Sequence, residues 1–139
     1  MRQCYALFHV HLLIGGLLSS LAAGARVVCT PGFDALRWVR WLQEYRASWS
    51  TAVPSMYQAL LRRQKWGTAA TFWQLRFLRS SSATLHEPVW RQLESLFECP
   101  VLNAYGMTEA AHQITSNLLP PRKYKIGTVK LQRFCKKRL

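Results

Sequence analysis

Short apolar runs alternate with stretches of helical periodicity along this chain, and that rhythm predicts strands joined by helices. Residues 26–29, RVVC, form a run of the kind that makes a short buried strand, and Pro31-Gly32 follows as a turn. Asp34 then stands where an N-cap belongs, and Trp38, Trp41, Leu42 and Tyr45 recur at helical spacing behind it. Together they predict a helix to about Arg46 whose aromatic face packs on a sheet. Residues 48–53, SWSTAV, read as a second strand, and Pro54 opens a helix from Ser55 to about Arg63. Two more strands, at residues 75–79 and 100–104, flank a helix from about Glu87, with Pro88 near its first turn, to Phe97. Residues 64–71 read as a surface loop. The fold class this predicts is α/β, a mostly parallel sheet flanked by helices. In open sheets of that kind ligands collect beyond the carboxyl ends of the strands. Residues 80–84 and 103–109, each following a strand, are therefore expected to face one crevice.

The apolar residues 5–25 imitate a signal peptide, with Arg2 as a charged start and Ala23-Gly24-Ala25 as a cleavage site. His9 and His11 at the head of the stretch and Gly15-Gly16 in its middle argue against that reading. Residues 12–25 are also too short to cross a bilayer, so no transmembrane segment is expected.

Composition adds the charge. Half of the 139 residues are hydrophobic, enough for one modest core, while 19 basic against 6 acidic residues give +13. Eight of the basic residues lie at or beyond Arg122, so residues 1–121 carry 11 minus 6, or +5, a moderate balance suited to polyphosphate ligands. The basic tail has neither interleaved aromatics nor a recognition motif, which argues against a specific nucleic-acid partner. Cys4, Cys29, Cys99 and Cys135 form no CxxC pair and no Cys/His metal spacing. Free thiols are expected, with Cys29 and Cys99 as small buried hydrophobes.

The chemistry concentrates in residues 101–113, VLNAYGMTEAAHQ. After a buried strand the chain turns polar at Asn103 and presents Tyr105, Gly106, Thr108 and Glu109 in close succession. An aromatic ring can stack on a purine, a glycine admits close backbone approach, a hydroxyl can bond a phosphate oxygen, and a carboxylate can hold Mg²⁺ against it. The same residues also read as a strand, a turn and a helix start capped by Thr108 and Glu109.

YGMTEAAHQ, with LRFLRSSSATL upstream and LFHVH near the start, resembles in wording and order the adenylate-forming acyl-CoA synthetase family. SSSATL, and TEAAHQ followed by SNLLPPR, are most similar to its oxalate and short-chain acyl-CoA ligase branch. The resemblance spans about residues 5–129, and complete family members are several times longer. It implies a reaction of carboxylic acid, ATP and CoA giving acyl-CoA, AMP and pyrophosphate through an acyl-adenylate. The implied cofactors are ATP or AMP, Mg²⁺ and CoA, and the implied partners are a nucleotide and a small carboxylic acid. Residues 80–85 match the adenine loop, with Ser81, Ser82 and Ala83 bordering the base and the acyl group. Asn103, Ala104, Tyr105, Gly106 and Met107 line the same pocket, Tyr105 by stacking on adenine. Thr108 bonds the α-phosphate, Glu109 ligates Mg²⁺, and His9 matches a histidine that lines the acyl or pantetheine tunnel at the turn before a buried helix. His112 is implied as a structural or supporting residue.

Several positions depart from the family. Leu12 replaces a usual glycine after LFHVH, Ser81 stands where glycine is commoner, and KIGTVK keeps Gly127 but puts Ile126 and Lys130 where proline and glycine are usual. The 139 residues contain no phosphate loop upstream of LFHVH, no TGD-like segment for the ribose and no C-terminal lysine domain. Residues 1–129 are accordingly expected to be a partial AMP-binding domain, inactive alone, and residues 130–139 a basic tail outside the resemblance. The alternative is a non-catalytic nucleotide-binding or interaction remnant that self-associates through uncovered sheet edges. Lys137-Arg138-Leu139 matches a peroxisomal signal only in its last two residues, so the expectation is a cytoplasmic chain.

Overall fold

The longer helices begin where the sequence supplies a donor, an acceptor or a fixed dihedral. Asp34 Oδ1 accepts from the backbone N–H groups of Leu36 at 2.8 Å and Arg37 at 3.2 Å, and so caps α3, Ala35–Glu44. Proline occupies the first turn of both α4, Pro54–Arg62, and α5, Glu87–Phe97, where the missing N–H costs nothing. The computed structural model describes residues 2–4, 7–63, 74–121 and 126–129, the first three by backbone alone. The loop expected at residues 64–71 and the tail at 130–139 lie outside the described residues.

Among the described residues six strands form the sheet: β1 (Arg2–Cys4), β2 (Val27–Cys29), β3 (Trp49–Ala52), β4 (Phe77–Ser80), β5 (Val101–Met107) and β6 (His112–Ser116). Their order is β2-β1-β3-β4-β5-β6, parallel throughout except that β6 runs antiparallel to β5. The sheet is thus mostly parallel with helices packed against it, as the rhythm predicts. β1 and β6 extend that pattern. Tyr105 pairs with Thr115 and Gly106 with Gln113, so Ile114 is the extra residue of a bulge. The chain reaches β6 through a 3₁₀ turn, Thr108–Ala110, and two non-glycine residues with positive φ, Ala111 at 50° and His112 at 91°. The helix start expected at Thr108 and Glu109 is therefore a single tight turn leading into a strand.

The core lies between the sheet and helices α3 to α5. Trp38 is fully buried and meets Phe97 edge-on at 5.4 Å and Tyr57 edge-on at 6.5 Å, surrounded by Leu42, Leu60, Trp90 and Leu93. Tyr45, expected on the buried face, is exposed because the helix ends at Glu44 and Tyr45 is already its C-cap. Cys99 is buried, its thiol pushed up to about 12 by desolvation, but Cys29 is exposed at the β2 edge of the sheet, contrary to its expected burial. Burial of a short strand depends on whether another strand covers it.

Residues 10–22 are helical from α1 (Val10–Leu12) through a π-helical turn (Leu13–Leu18) to α2 (Ser19–Ala22). Gly15-Gly16 widens the helix rather than breaking it. A side chain at Gly15 would stand 2.5 Å from the His112 ring and 3.3 Å from an Arg79 nitrogen, and Gly16 is itself buried. One face of the segment buries His11, Leu12 and Ser20, while Leu13, Leu18 and Leu21 are exposed. The buried helix implied after LFHVH is thus buried on one face only. Among the described residues no helix is long and apolar enough to cross a membrane.

Candidate functional site

Beyond the carboxyl ends of the strands lies a cavity of about 510 Å³. His9, His11 and the residues after them close one side, and Ser82, Gly106, Met107 and Thr108 close the other. Both stretches expected to share a crevice therefore contribute to it, although the second does so largely from within β5, which runs on to Met107 where the sequence predicts a strand ending at residue 104. Ser82 holds the left-handed conformation, φ 73°, so the freedom that a glycine would supply is needed at Ser82 rather than at Ser81. Ser81, just past β4, and Asn103 and Ala104, in the middle of β5, are buried, while Ala83, Tyr105 and Glu109 are exposed outside the cavity. Tyr105 leaves over half its surface open, at 55%. Ser81 Oγ and Asn103 Oδ1 are buried without a hydrogen-bond partner among the described residues, and neither residue lines the cavity. Asn117, which the sequence reading did not single out, holds this end of β5. Its Oδ1 accepts from the Asn103 N–H at 2.8 Å, and its own N–H donates to the Asn103 carbonyl at 2.9 Å.

The two histidines of LFHVH part company. His9 is the N-cap residue of α1 and exposed, its ring beside Phe8, whereas His11 is buried one residue into the helix. His11 Nε2 lies 2.8 Å from Thr51 Oγ1 and its Nδ1 lies 3.0 Å from Ser82 Oγ, and its ring stacks on that of His112 at 5.1 Å. Arg79 donates to Thr51 Oγ1 at 3.3 Å, to Gln113 Oε1 at 2.7 Å and, through the same Nη2, meets His112 Nε2 at 2.8 Å. The sequence reading missed His11, Thr51, Arg79 and Gln113. One signal was available: an arginine inside the otherwise apolar strand LRFLR.

Arg79 is buried, and among the described residues no carboxylate lies against it. The ion pairs between described residues, Arg37 with Asp34 and Arg91 with Glu87, are both on the surface. A buried guanidinium offset only by neutral acceptors is expensive, and desolvation lowers it to about 10. The same burial, with Arg79 beside it, lowers His11 to about 3 and His112 to about 4. Both imidazoles are therefore neutral in the folded chain at neutral pH.

That has a measurable consequence. Folded values below the unfolded 6.5 mean that the histidines' contribution is complete above pH 6.5 and is lost as pH falls from there toward 4 and then 3. Each group gives a limiting slope of about 1.4 kcal/mol per pH unit inside its window. Urea unfolding at a series of pH values should show a steep loss beginning near pH 6.5, and His112→Asn should remove about half of that slope. A stability flat between pH 7 and 5 would contradict the neutral pair.

Among the described residues no cluster of three His, Cys, Asp or Glu side chains could hold a metal ion. Glu109 is a lone exposed carboxylate, which suits Mg²⁺ only when phosphate oxygens supply further ligands.

Comparison with known proteins places these features. A model of the AMP-binding enzyme family matches residues 2–135. The chain is 44% identical over 126 residues to an oxalate–CoA ligase of Arabidopsis thaliana, covering 88% of this chain and 24% of that one. It is 44% identical over 124 residues to an oxalate–CoA ligase of Saccharomyces cerevisiae, covering 88% and 22%. ATP-bound MatB from Rhodopseudomonas palustris superposes with a TM-score of 0.77 at 25% identity, over 87% of this chain and 24% of that one. The chain thus spans about a quarter of the length of the relatives it matches. With the sheet, the two loops and the sequence in agreement, the chain belongs to the AMP-binding enzyme family, as part of an acyl-CoA ligase of the adenylate-forming kind.

Proposed function

We propose that these residues form the adenine wall and the acid pocket of an ATP-dependent CoA ligase for a small dicarboxylic acid of the oxalate class. The observation that carries this reading is the cavity flanked by Ser82, His11 and His112 beside a buried arginine that has no carboxylate partner among the described residues. A small dianion placed there gains hydrogen-bond donors and the field of the guanidinium in surroundings of low dielectric, where both count for most. The names of the relatives in Arabidopsis and yeast support the choice of acid.

Bound ATP with Mg²⁺ would supply the electrophilic α-phosphorus and neutralise its charge while a carboxylate attacks. The chain's own part is binding and orientation. The exposed ring of Tyr105 offers a face for adenine, Ser81 and Asn103 back that wall with buried oxygens that lack a partner among the described residues, and Thr108 places a hydroxyl at the cavity rim for a phosphate oxygen. Gly106 and Met107 shape the wall between them, while Ala83 and Ala104 add its apolar surface. Glu109, next in the chain to cavity-lining Thr108, is the ligand we assign to Mg²⁺, and exposed His9, which also lines the cavity, stands where CoA would enter.

In the purified 139-residue protein, oxalate should produce saturable amide shifts at Ser82 and His112 in an NMR titration, and AMP should produce them at Tyr105. Acid-dependent exchange between ATP and pyrophosphate should stay at background, because residues for the β- and γ-phosphates and the catalytic lysine are not among these 139. Absence of any oxalate response at Ser82 and His112 in folded protein would reject the acid pocket. A second reading, an interaction remnant, draws support from exposed Leu13, Leu18 and Leu21 and from the β2 edge, and concentration-dependent self-association by light scattering would favour it.

A further inference from the structure

The hydrogen bonds around Thr51 run in one direction, and Arg79 sets it. A guanidinium has donors and no acceptor, so Thr51 Oγ1 must accept from Arg79 and its own hydroxyl hydrogen must point elsewhere. Thr51 is 1% exposed, and among the described residues the acceptor within reach of that hydrogen is His11 Nε2, 2.8 Å away. Leaving the hydrogen buried and unpaired would cost its full desolvation penalty, which favours Thr51 donating to a bare Nε2 over the reverse. A neutral imidazole with a bare Nε2 carries its proton on Nδ1, and His11 Nδ1 faces Ser82 Oγ at 3.0 Å. Ser82 Oγ then accepts from His11, and its own hydroxyl hydrogen is left for the cavity that Ser82 lines.

We infer that Arg79 is a positioning residue: through Thr51 and His11 it fixes the polarity of a relay that ends with the Ser82 hydroxyl presented as a donor to an anionic ligand. The relay needs no charge to move and no proton to transfer. Its effect is to make one wall of the cavity a donor in advance, so that no dipole has to be reversed when an anion binds. The second Arg79 nitrogen does the same at His112, where it faces Nε2 at 2.8 Å and so places the His112 proton on Nδ1. The functional consequence rests on the reading of the cavity as an acid pocket, whereas the polarity itself does not.

The test is nitrogen NMR of the imidazoles in the ¹⁵N-histidine-labelled full chain at pH 7.5 without ligand. His11 and His112 should each show a protonated Nδ1 and a bare Nε2, and Arg79→Lys, which keeps a donor-only cation, should preserve this. Arg79→Gln offers Thr51 an acceptor as well as a donor, so His11 should lose its single tautomer and show both. Should that variant fail to fold, Thr51→Val removes the hydroxyl that links the two side chains, and the same loss is expected there. An Nε2–H tautomer, a mixture or an imidazolium at His11 in the unmodified protein overturns the inference. So does a folded Arg79→Gln or Thr51→Val protein that keeps the Nδ1–H form alone. Because no ligand is present, this failure is distinct from a failed oxalate titration.

Discussion

Gly106→Ala should destabilise the chain by about 3 kcal/mol or more, toward the upper end of what overpacking costs, and abolish the oxalate and AMP responses with it. Gly106 does not have a positive φ, so the requirement is room and not backbone freedom. A Cβ there would overlap the carbonyl oxygen and carbon of His112, and the next atom, Gln113 Cα, lies 3.1 Å away. All are backbone, so no side-chain rotation relieves the clash, and the β5 and β6 pairing at Gly106 and Gln113 has to open. Opening it moves His112, which carries the hydrogen bond to Arg79 and one wall of the cavity. Gly32→Ala is the control: its Cβ meets nothing within 4 Å and its φ is not positive, so stability should change by less than about 0.5 kcal/mol. Urea unfolding of the two variants side by side decides the matter, and a Gly106→Ala protein within about 1 kcal/mol of the unmodified chain would show that the strand pair yields without cost.

Where local chemistry dictates structure, the sequence was readable. Asp34 before an aromatic helical stripe, and prolines in the first turns of α4 and α5, mark helix starts that the structure reproduces within a residue. The placement of residues 80–84 at the end of β4 follows from the parallel sheet, and the cavity lies there, but residues 103–107, expected after a strand, belong to β5 itself. What escaped depends on tertiary surroundings. β6 opens through two non-glycine residues in positive φ, Ala111 before it and His112 as its first residue, and neither is the glycine or asparagine that announces such a turn. Cys29 sits in an apolar run that the sheet order leaves at an edge. LFHVH offers two histidines, and the one on the buried face is decided by where the helix starts. With His9 as N-cap, His11 is turned inward against Thr51 and Ser82. Gly15-Gly16 reads as a break, but the close approach of His112 explains it as a clearance in a helix that continues. Arg79 looked like one charge in a strand, because its partners come from β3 and β6 and no spacing in the sequence brings them together.

Trp38→Ala should remove about 3–5 kcal/mol, comparable to the whole stability of a marginal domain, and leave a chain without a cooperative urea transition. Trp38 is fully buried, and its indole N–H has no partner among the described residues, so the loss is one of packing with no hydrogen bond to offset. The cavity would open between Tyr57 and Phe97, both of which meet the indole edge-on. Tyr57 then transmits the damage toward the site. Its buried hydroxyl donates to the Arg79 carbonyl at 2.9 Å, and burial holds that phenol well above its ordinary range, so it stays a donor at any working pH. A Tyr57 that relaxes into the cavity releases the β4 carbonyl next to the guanidinium on which His112 and Thr51 depend. Trp38→Phe separates the two effects, since it keeps an aromatic edge beside Tyr57 while removing the unpartnered N–H. It should cost no more than about 1–2 kcal/mol and preserve the oxalate shifts at Ser82 and His112. Leu36→Ala, on the exposed face of the same helix, should change stability by less than about 0.5 kcal/mol. If Trp38→Ala unfolds cooperatively within about 1 kcal/mol of the unmodified chain, the aromatic cluster around Trp38 is not the centre of the core, and the route from α3 through Tyr57 to Arg79 fails with it.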